Sequence, residues 1–142
     1  MAKKLKKILV PLDGSKNSLR GLNHAIDLAK SSNSSIVGLY VLKIPPVHAI
    51  SSKHFLDSKL KGVAKKILKE AETKCSKNKI PFKGKVVHGS DPGYDIVKFN
   101  KKEKTDMVVI GARGVSRIKE IFLGSVSNYV LHKSKVPVLV VK

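Results

Sequence analysis

The stretch DMVVIGARGVSRIKEIFLGSVSN, residues 106–128, contains a short apolar segment, a loop with glycines and cations, and the start of a helix. The apolar segment Met107–Ile110 is typical of a strand that is buried on both faces of a parallel sheet. Gly111 and Gly114 follow it, and glycine in such a loop lets the backbone turn with positive φ and lets N–H groups approach an anion. After Gly124, apolar residues recur at helical spacing, which predicts a helix that begins there.

The predicted helix start suits a phosphate group. A helix N-terminus offers unpaired N–H donors and the positive end of the helix dipole, and Ser125 and Ser127 add hydroxyl groups. Three cationic side chains lie between the strand and the helix: Arg113, Arg117 and Lys119. The residues alone leave two interpretations open, because the loop either binds phosphate or uses its glycines only to make turns.

Strands and helices alternate along the rest of the chain. The predicted strands are 6–12, 35–42, 82–88, 106–110 and 137–141, and the predicted helices are 16–31, 56–78, 92–102 and 125–133. Strands that are separated by helices of this length pair in parallel through right-handed crossovers, so the fold class is α/β. Residues 1–142 are expected to form one domain. The strand at 82–88 is the least apolar and is expected at a sheet edge.

The net charge of +19 is the strongest feature of the composition. Nearly all of the positive charge is lysine, spread along the chain, which favours a solvated surface over a specific nucleic-acid site, because base readout uses arginine. Non-specific binding of polyanions stays compatible with this charge. The single cysteine, Cys75, is expected to be a buried helix residue and agrees with a reducing cytoplasm. No apolar run is long enough to span a membrane.

The spacing Gly111-x2-Gly114-x9-Gly124-Ser125, which follows an apolar strand, resembles the ATP-binding signature of the universal stress protein family. The resemblance covers the whole chain, from KKILVPLDGS near the start to VPVLVVK at the end. It implies a doubly wound sheet of five parallel strands in the order 3-2-1-4-5, with helices on both faces. In that order the connection reverses between strands 1 and 4, and ligands bind beyond the strand ends at such a switch point. Asp13 follows strand 1, so we expect it to meet Gly111 there.

The resemblance also implies a set of ATP-binding residues. Asp13 and the backbone of Val41 are expected on the adenine side, and Pro11 is expected to line the pocket. The phosphates are expected to be held by Gly111, Gly114, Gly124, Ser125 and Ser127, with Gly114 and Gly124 presenting their backbone N–H groups. The implied set in full is Pro11, Asp13, Val41, Gly111, Arg113, Gly114, Gly124, Ser125, Val126 and Ser127. From its own position, Asp13 either makes an Asx turn at a helix start or accepts a hydrogen bond from adenine or ribose. A cation, Mg²⁺ or Mn²⁺, would rest on phosphate oxygens and water, because no second carboxylate is near.

The sequence shows no arrangement that would use the ATP. The histidines lack metal-ligand spacing, and no nucleophile elbow, carboxylate pair or Walker A motif occurs. We therefore expect a nucleotide-binding stress or signalling module. Two alternatives remain: a slow ATPase or phosphate-transferring enzyme, and a basic protein associated with nucleic acid. The apolar strand Val136–Val141 would lie at a sheet edge, and antiparallel pairing with its copy would give a two-fold homodimer, as the resemblance implies.

Overall fold

The structure is a computed structural model that describes residues 4–43, 53–113 and 123–142, with the backbone alone for residues 53–58. The strands are β1 (Lys7–Pro11), β2 (Ser35–Lys43), β3 (Phe82–Gly89), β4 (Met107–Gly111) and β5 (Val138–Val141). The helices are α1 (Lys16–Ser32), α2 (Lys53–Lys77), α3 (Pro92–Glu103) and α4 (Ser125–Lys133). Every predicted strand and helix is present, with small shifts at the ends. None of the described helices is long and apolar enough to cross a membrane.

The strands form one parallel sheet in the order β3-β2-β1-β4-β5, which confirms the predicted α/β fold and its strand order. On one face, Leu22 of α1 and Ala71 of α2 belong to the same cluster as Ile8 of β1. On the other face, Ile96 of α3 and Val130 of α4 belong to a second cluster. The core therefore consists of two aliphatic layers, and the chain reverses its direction of winding between β1 and β4.

The central strand β1 lies between segments from distant parts of the chain. Its Lys7 pairs with Ser35 of β2, and its Ile8 pairs with Met107 of β4. Oδ2 of Asp106 accepts hydrogen bonds of 3.0 Å from the N–H groups of Lys6 and Lys7, across 100 and 99 sequence positions respectively. The start of β1 is thus bonded to the start of β4 before the ladder between them begins.

Cys75 is fully buried in α2, as the helical spacing predicted. Burial raises the pKa of its thiol to about 11, because the thiolate would be desolvated. The thiol is therefore neutral at physiological pH and serves as a small core residue.

Gly111 lies against the first turn of α1. A Cβ there would stand 2.7 Å from the carbonyl carbon of Asn17 and 2.8 Å from the oxygen of that carbonyl. Gly21, on the same helix, approaches the Gly111 nitrogen, since its own Cβ would lie 3.5 Å away. Among the described glycines, only Gly14 has a left-handed backbone, with φ of +85°. The expectation that Gly111 makes a turn with positive φ is therefore wrong, because glycine is required there by the close packing of α1 on β4.

Gly111→Ala is expected to lower the free energy of unfolding by about 1–3 kcal/mol, because the added methyl group forces α1 away from β4. Gly62→Ala is the matched control, since nothing lies within 4 Å of a Cβ at that position of α2. Alanine in a helix interior stabilises by about 0.5–1 kcal/mol relative to glycine, so the control should move in the opposite direction. Urea unfolding measures both changes. Equal midpoints for the two variants would contradict the close approach.

The two edges of the sheet differ in charge. The edge strand β3 reads FKGKVVHG, and its Lys83 and Lys85 oppose pairing with another sheet. This confirms that the third predicted strand lies at an edge. The other edge strand, β5, reads VLVV and carries no charged side chain.

Candidate functional site

A cavity of about 490 Å³ opens where the carboxyl ends of β1, β2 and β4 meet the start of α4. Its volume lies within the range of about 300–1,000 Å³ that is typical of ligand sites. Nine of the ten residues that the resemblance implied line it: Pro11, Asp13, Val41, Gly111, Arg113, Gly124, Ser125, Val126 and Ser127. The tenth, Gly114, lies outside the described residues, as do Arg117 and Lys119. The switch point thus gathers residues from both ends of the chain.

Much of the cavity wall is apolar and was not singled out from the sequence. These side chains are Leu12, Leu39, Leu42, Leu60, Pro92, Ile96 and Ile110. Their pattern marks them as core residues, and only the strand order shows which of them border an opening. The position of Pro92 beside the cavity could have been expected from the sequence. A helix that follows β3 must begin at the carboxyl edge of the sheet, and Pro92 is the first residue of α3.

The backbone of Val41 faces the cavity because of its register in β2. The C=O group of Leu39 accepts the N–H of Leu12 at 2.8 Å, so Leu39 directs its polar groups toward β1. Backbone direction repeats every two residues along a strand, so Val41 directs its N–H and C=O groups the same way. β1 ends at Pro11, which pairs with Leu39, and Val41 therefore extends beyond the last residue of β1. This gives a donor and an acceptor one strand width from the turn that follows β1.

Asp13 makes the Asx turn that was one of its two interpretations. Its Oδ1 accepts the N–H of Ser15 at 2.9 Å, and Ser15 in turn caps α1 by accepting the N–H of Ser18 at 3.1 Å. The turn holds the exposed carboxylate at the mouth of the cavity, where Oδ2 can accept a further hydrogen bond. The two interpretations are therefore compatible with each other.

The start of α4 presents backbone donors to the cavity. Gly124 caps the helix without a side chain, so no cap oxygen reaches the N–H groups of Ser125, Val126 and Ser127. These are the donors that a helix N-terminus offers to an anion. The N–H of Gly124 itself is donated to the C=O of Ala112 at 2.7 Å. The expectation that this N–H faces a phosphate is therefore wrong.

Ser127 fixes the position of this helix start. Its hydroxyl is buried and donates to the C=O of Ala112 at 2.7 Å, with the C=O of Gly124 also within 3.1 Å. The oxygen can still accept a hydrogen bond, but a phosphate needs a donor. The side chain of Ser127 thus joins α4 to the end of β4, and the exposed Ser125 is the hydroxyl that remains available.

The fold does not require glycine at position 124. The residue has φ of −63° and ψ of 160°, which any amino acid adopts. A Cβ there would meet its nearest neighbour, the oxygen of Ala112, at 3.4 Å, which is ordinary contact. The absence of a side chain therefore leaves space in the cavity.

The charges around the cavity are mostly positive. Arg113 and Lys43 line it, and Asp13 is the one carboxylate among its described lining residues. No group of three or more potential ligand side chains that could hold a metal occurs among the described residues.

These features define an α/β protein with a cavity at the switch point of its parallel sheet. Residues 4–142 match the sequence profile of the universal stress protein family, and the chain belongs to this family. Universal stress protein MJ0531 of Methanocaldococcus jannaschii is 33% identical over 140 residues, which cover 96% of this chain and 82% of that protein. The solved structure of protein MJ0577 from the same organism is 31% identical, with a TM-score of 0.86 over 99% of this chain and 97% of that one. A universal stress protein solved in complex with cAMP is 27% identical, with a TM-score of 0.77 over 99% of each chain.

Proposed function

We propose that the cavity binds an adenine nucleotide, ATP, and that the protein is a nucleotide-dependent stress or signalling module of the cytoplasm. The observation that carries the proposal is the cavity itself, in which the backbone of Val41, the carboxylate of Asp13 and the uncapped start of α4 surround one space. The relative that binds cAMP supports an adenine nucleotide as the ligand. Partner choice would differ between the bound and free states.

Each end of the cavity suits one end of the ligand. At the end near β2, the N–H and C=O groups of Val41 can pair with the edge of adenine, and Asp13 can accept from its amino group or from ribose. Apolar side chains such as Leu39 and Ile96 provide contact for the flat base. At the other end, the N–H groups that open α4 and the guanidinium of Arg113 can hold the phosphates.

Mass spectrometry of the ligand released from the purified, denatured protein tests the identity of the nucleotide. We expect ATP. Release of AMP or a cyclic adenine nucleotide would change only the phosphate group of the proposed ligand. Release of a guanine nucleotide would contradict the proposal that Asp13 and Val41 recognise adenine.

We propose binding without turnover, because Asp13 is the one carboxylate among the described lining residues, and the proposal assigns its available oxygen to adenine or ribose and not to a water molecule. A general base must reach the attacking water. Phosphate release from ATP should therefore be the same with the parent and with Asp13→Ala. Faster release by the parent would favour the slow ATPase instead.

Nucleotide recognition should survive salt that screens the +19 surface. At about 0.5 M salt the Debye length is only about 4 Å, so contacts of a buried base persist while general attraction is lost. A ligand at about 100 times its Kd stabilises by about 2.7 kcal/mol, which raises the Tm by about 9 °C in a domain of this size. We expect this shift with ATP, and a much smaller one with GTP or tripolyphosphate.

Asp13→Ala should reduce the difference between the Tm shifts that ATP and GTP produce in the same assay. Asp27→Ala is the control, because it removes one negative charge from the exposed face of α1, away from the cavity. Equal shifts for all three ligands, abolished by salt, would show that surface lysines do the binding.

A further inference from the structure

A second cleft, of about 500 Å³, lies between α3 and α4 and shares no lining residue with the nucleotide cavity. Tyr94, Lys98 and Lys101 of α3 line one wall, and their spacing places them on one helical face. Tyr129 and Lys133 of α4 line the other wall, and Lys135 follows at its end. The cleft is open to solvent along the surface of the molecule.

The charge of this cleft is uncompensated. It is lined by four lysines and no acidic residue. The described residues place no carboxylate in an ion pair with any of these lysines, whereas Glu103 nearby on α3 pairs with Lys7 and Lys83. Lysines that face one another across a groove without partners attract an anion that carries several charges.

The aromatic residues separate this cleft from an ordinary basic surface. Tyr94 is 50% exposed, although its ring is large and mostly apolar. Tyr129 packs closely on α3, since a Cβ at Gly93 would lie 3.0 Å from its ring. Tyr94, which is exposed beside the lysines, offers a ring on which a planar group can stack, and Tyr129 joins the two helices below it.

We propose that the cleft between α3 and α4 binds single-stranded nucleic acid without sequence preference. Grooves of this kind hold phosphates on basic side chains and stack bases on aromatic ones. Duplex bases are stacked on each other and unavailable to Tyr94, which favours a single strand. All four cations are lysines, which contact phosphates as point charges rather than reading bases. An acidic peptide would use the lysines but would gain little from the ring of Tyr94.

The lysine contacts are tested on the full chain by fluorescence anisotropy with a labelled oligothymidylate of about 12 nucleotides over a range of salt concentrations. Each phosphate contact to a single strand contributes about 0.7 to the slope of log K against log salt. The double variant Lys98→Gln, Lys101→Gln should therefore lower the slope by about 1.4. If parent and variant bind equally at about 1 M salt, the variant should bind about 25-fold more weakly than the parent at about 0.1 M salt.

The control for this test is Lys65→Gln with Lys69→Gln, which removes the same charge from the exposed face of α2. Its slope should stay close to that of the parent. If the two double variants lose affinity equally, the strand binds to the surface charge in general and the proposal is overturned.

The stacking contact is tested with Tyr94→Ala and Tyr94→Phe. Loss of one stacked base should weaken binding about fivefold or more, so Tyr94→Ala should lose affinity and Tyr94→Phe should keep it. On an abasic oligonucleotide, parent and Tyr94→Ala should bind equally. An equal loss on the abasic strand would show that Tyr94 acts on the fold and would overturn the stacking role.

Two competitors complete the test. Polyglutamate should bind the parent more weakly than an oligonucleotide of the same charge, and equal binding would assign the cleft to acidic peptides instead. Saturating ATP should leave oligonucleotide affinity unchanged, because the two cavities share no residue. Displacement by ATP would place the strand in the nucleotide cavity and contradict the proposal.

Discussion

Gly124→Val is expected to weaken ATP binding by about 100-fold or more while the domain stays folded. The added side chain would project beside the N–H groups that open α4, which are the proposed phosphate donors. Loss of two hydrogen bonds to a charged acceptor, at about 1.5–3 kcal/mol each, accounts for this factor. Titration calorimetry measures the affinity, and circular dichroism with thermal unfolding measures the fold.

Gly124→Ala provides the graded comparison, because its Cβ makes only ordinary contact with the protein. Its Tm should stay near that of the parent, while its affinity should fall between those of the parent and Gly124→Val. Parent-like ATP affinity in a folded Gly124→Val chain would defeat the proposed phosphate site. A collapse of the fold in both variants would instead show that the helix cap, and not the ligand, needs glycine.

Val140→Pro is expected to convert a homodimer into a monomer at micromolar concentration. The C=O groups of Pro137 and Val141 bond to β4, so the residues between them alternate, and Val138 and Val140 direct their N–H and C=O groups away from the sheet. We propose that these groups pair with a second copy of β5. Proline at position 140 removes an outward N–H, which an edge strand tolerates.

Leu139→Pro is the matched control, because its N–H points toward β4 and its loss should destabilise the domain itself. Val138→Lys is a second probe, since a charge at the edge opposes pairing. Sedimentation measures the mass of each variant. A parent that is already monomeric, or a dimer that survives both Val140→Pro and Val138→Lys, would contradict pairing through β5.

The strands and helices were accessible from the sequence because they depend on local patterns. Apolar runs, helix caps and the glycine spacing each involve only a few neighbouring residues. The family resemblance, in contrast, supplied the order of the strands and the set of cavity residues. Nine implied residues then met at one cavity, with Gly114 outside the described residues. Their role in binding a ligand stays a prediction.

The sequence did not show why particular residues are needed at their positions. Gly111 is required by contact with Asn17, a residue far away in sequence, and no local pattern reports such an approach. The hydroxyl of Ser127 was assigned to a phosphate, but it donates a hydrogen bond to the C=O of Ala112, and this bond depends on how α4 packs against the end of β4. The cleft between α3 and α4 likewise depends on a pairing of helices that the sequence does not specify.

The bonds from Asp106 to Lys6 and Lys7 have a consequence for synthesis on the ribosome. Because these partners are separated by 100 and 99 positions, β1 leaves the exit tunnel long before β4 is made. Until then β1 can pair only with β2, and its other side stays open to wrong pairing. Non-local parallel pairing forms slowly and exposes strand edges while it forms. A nascent chain that stops before residue 106 should therefore be the species that most needs a chaperone.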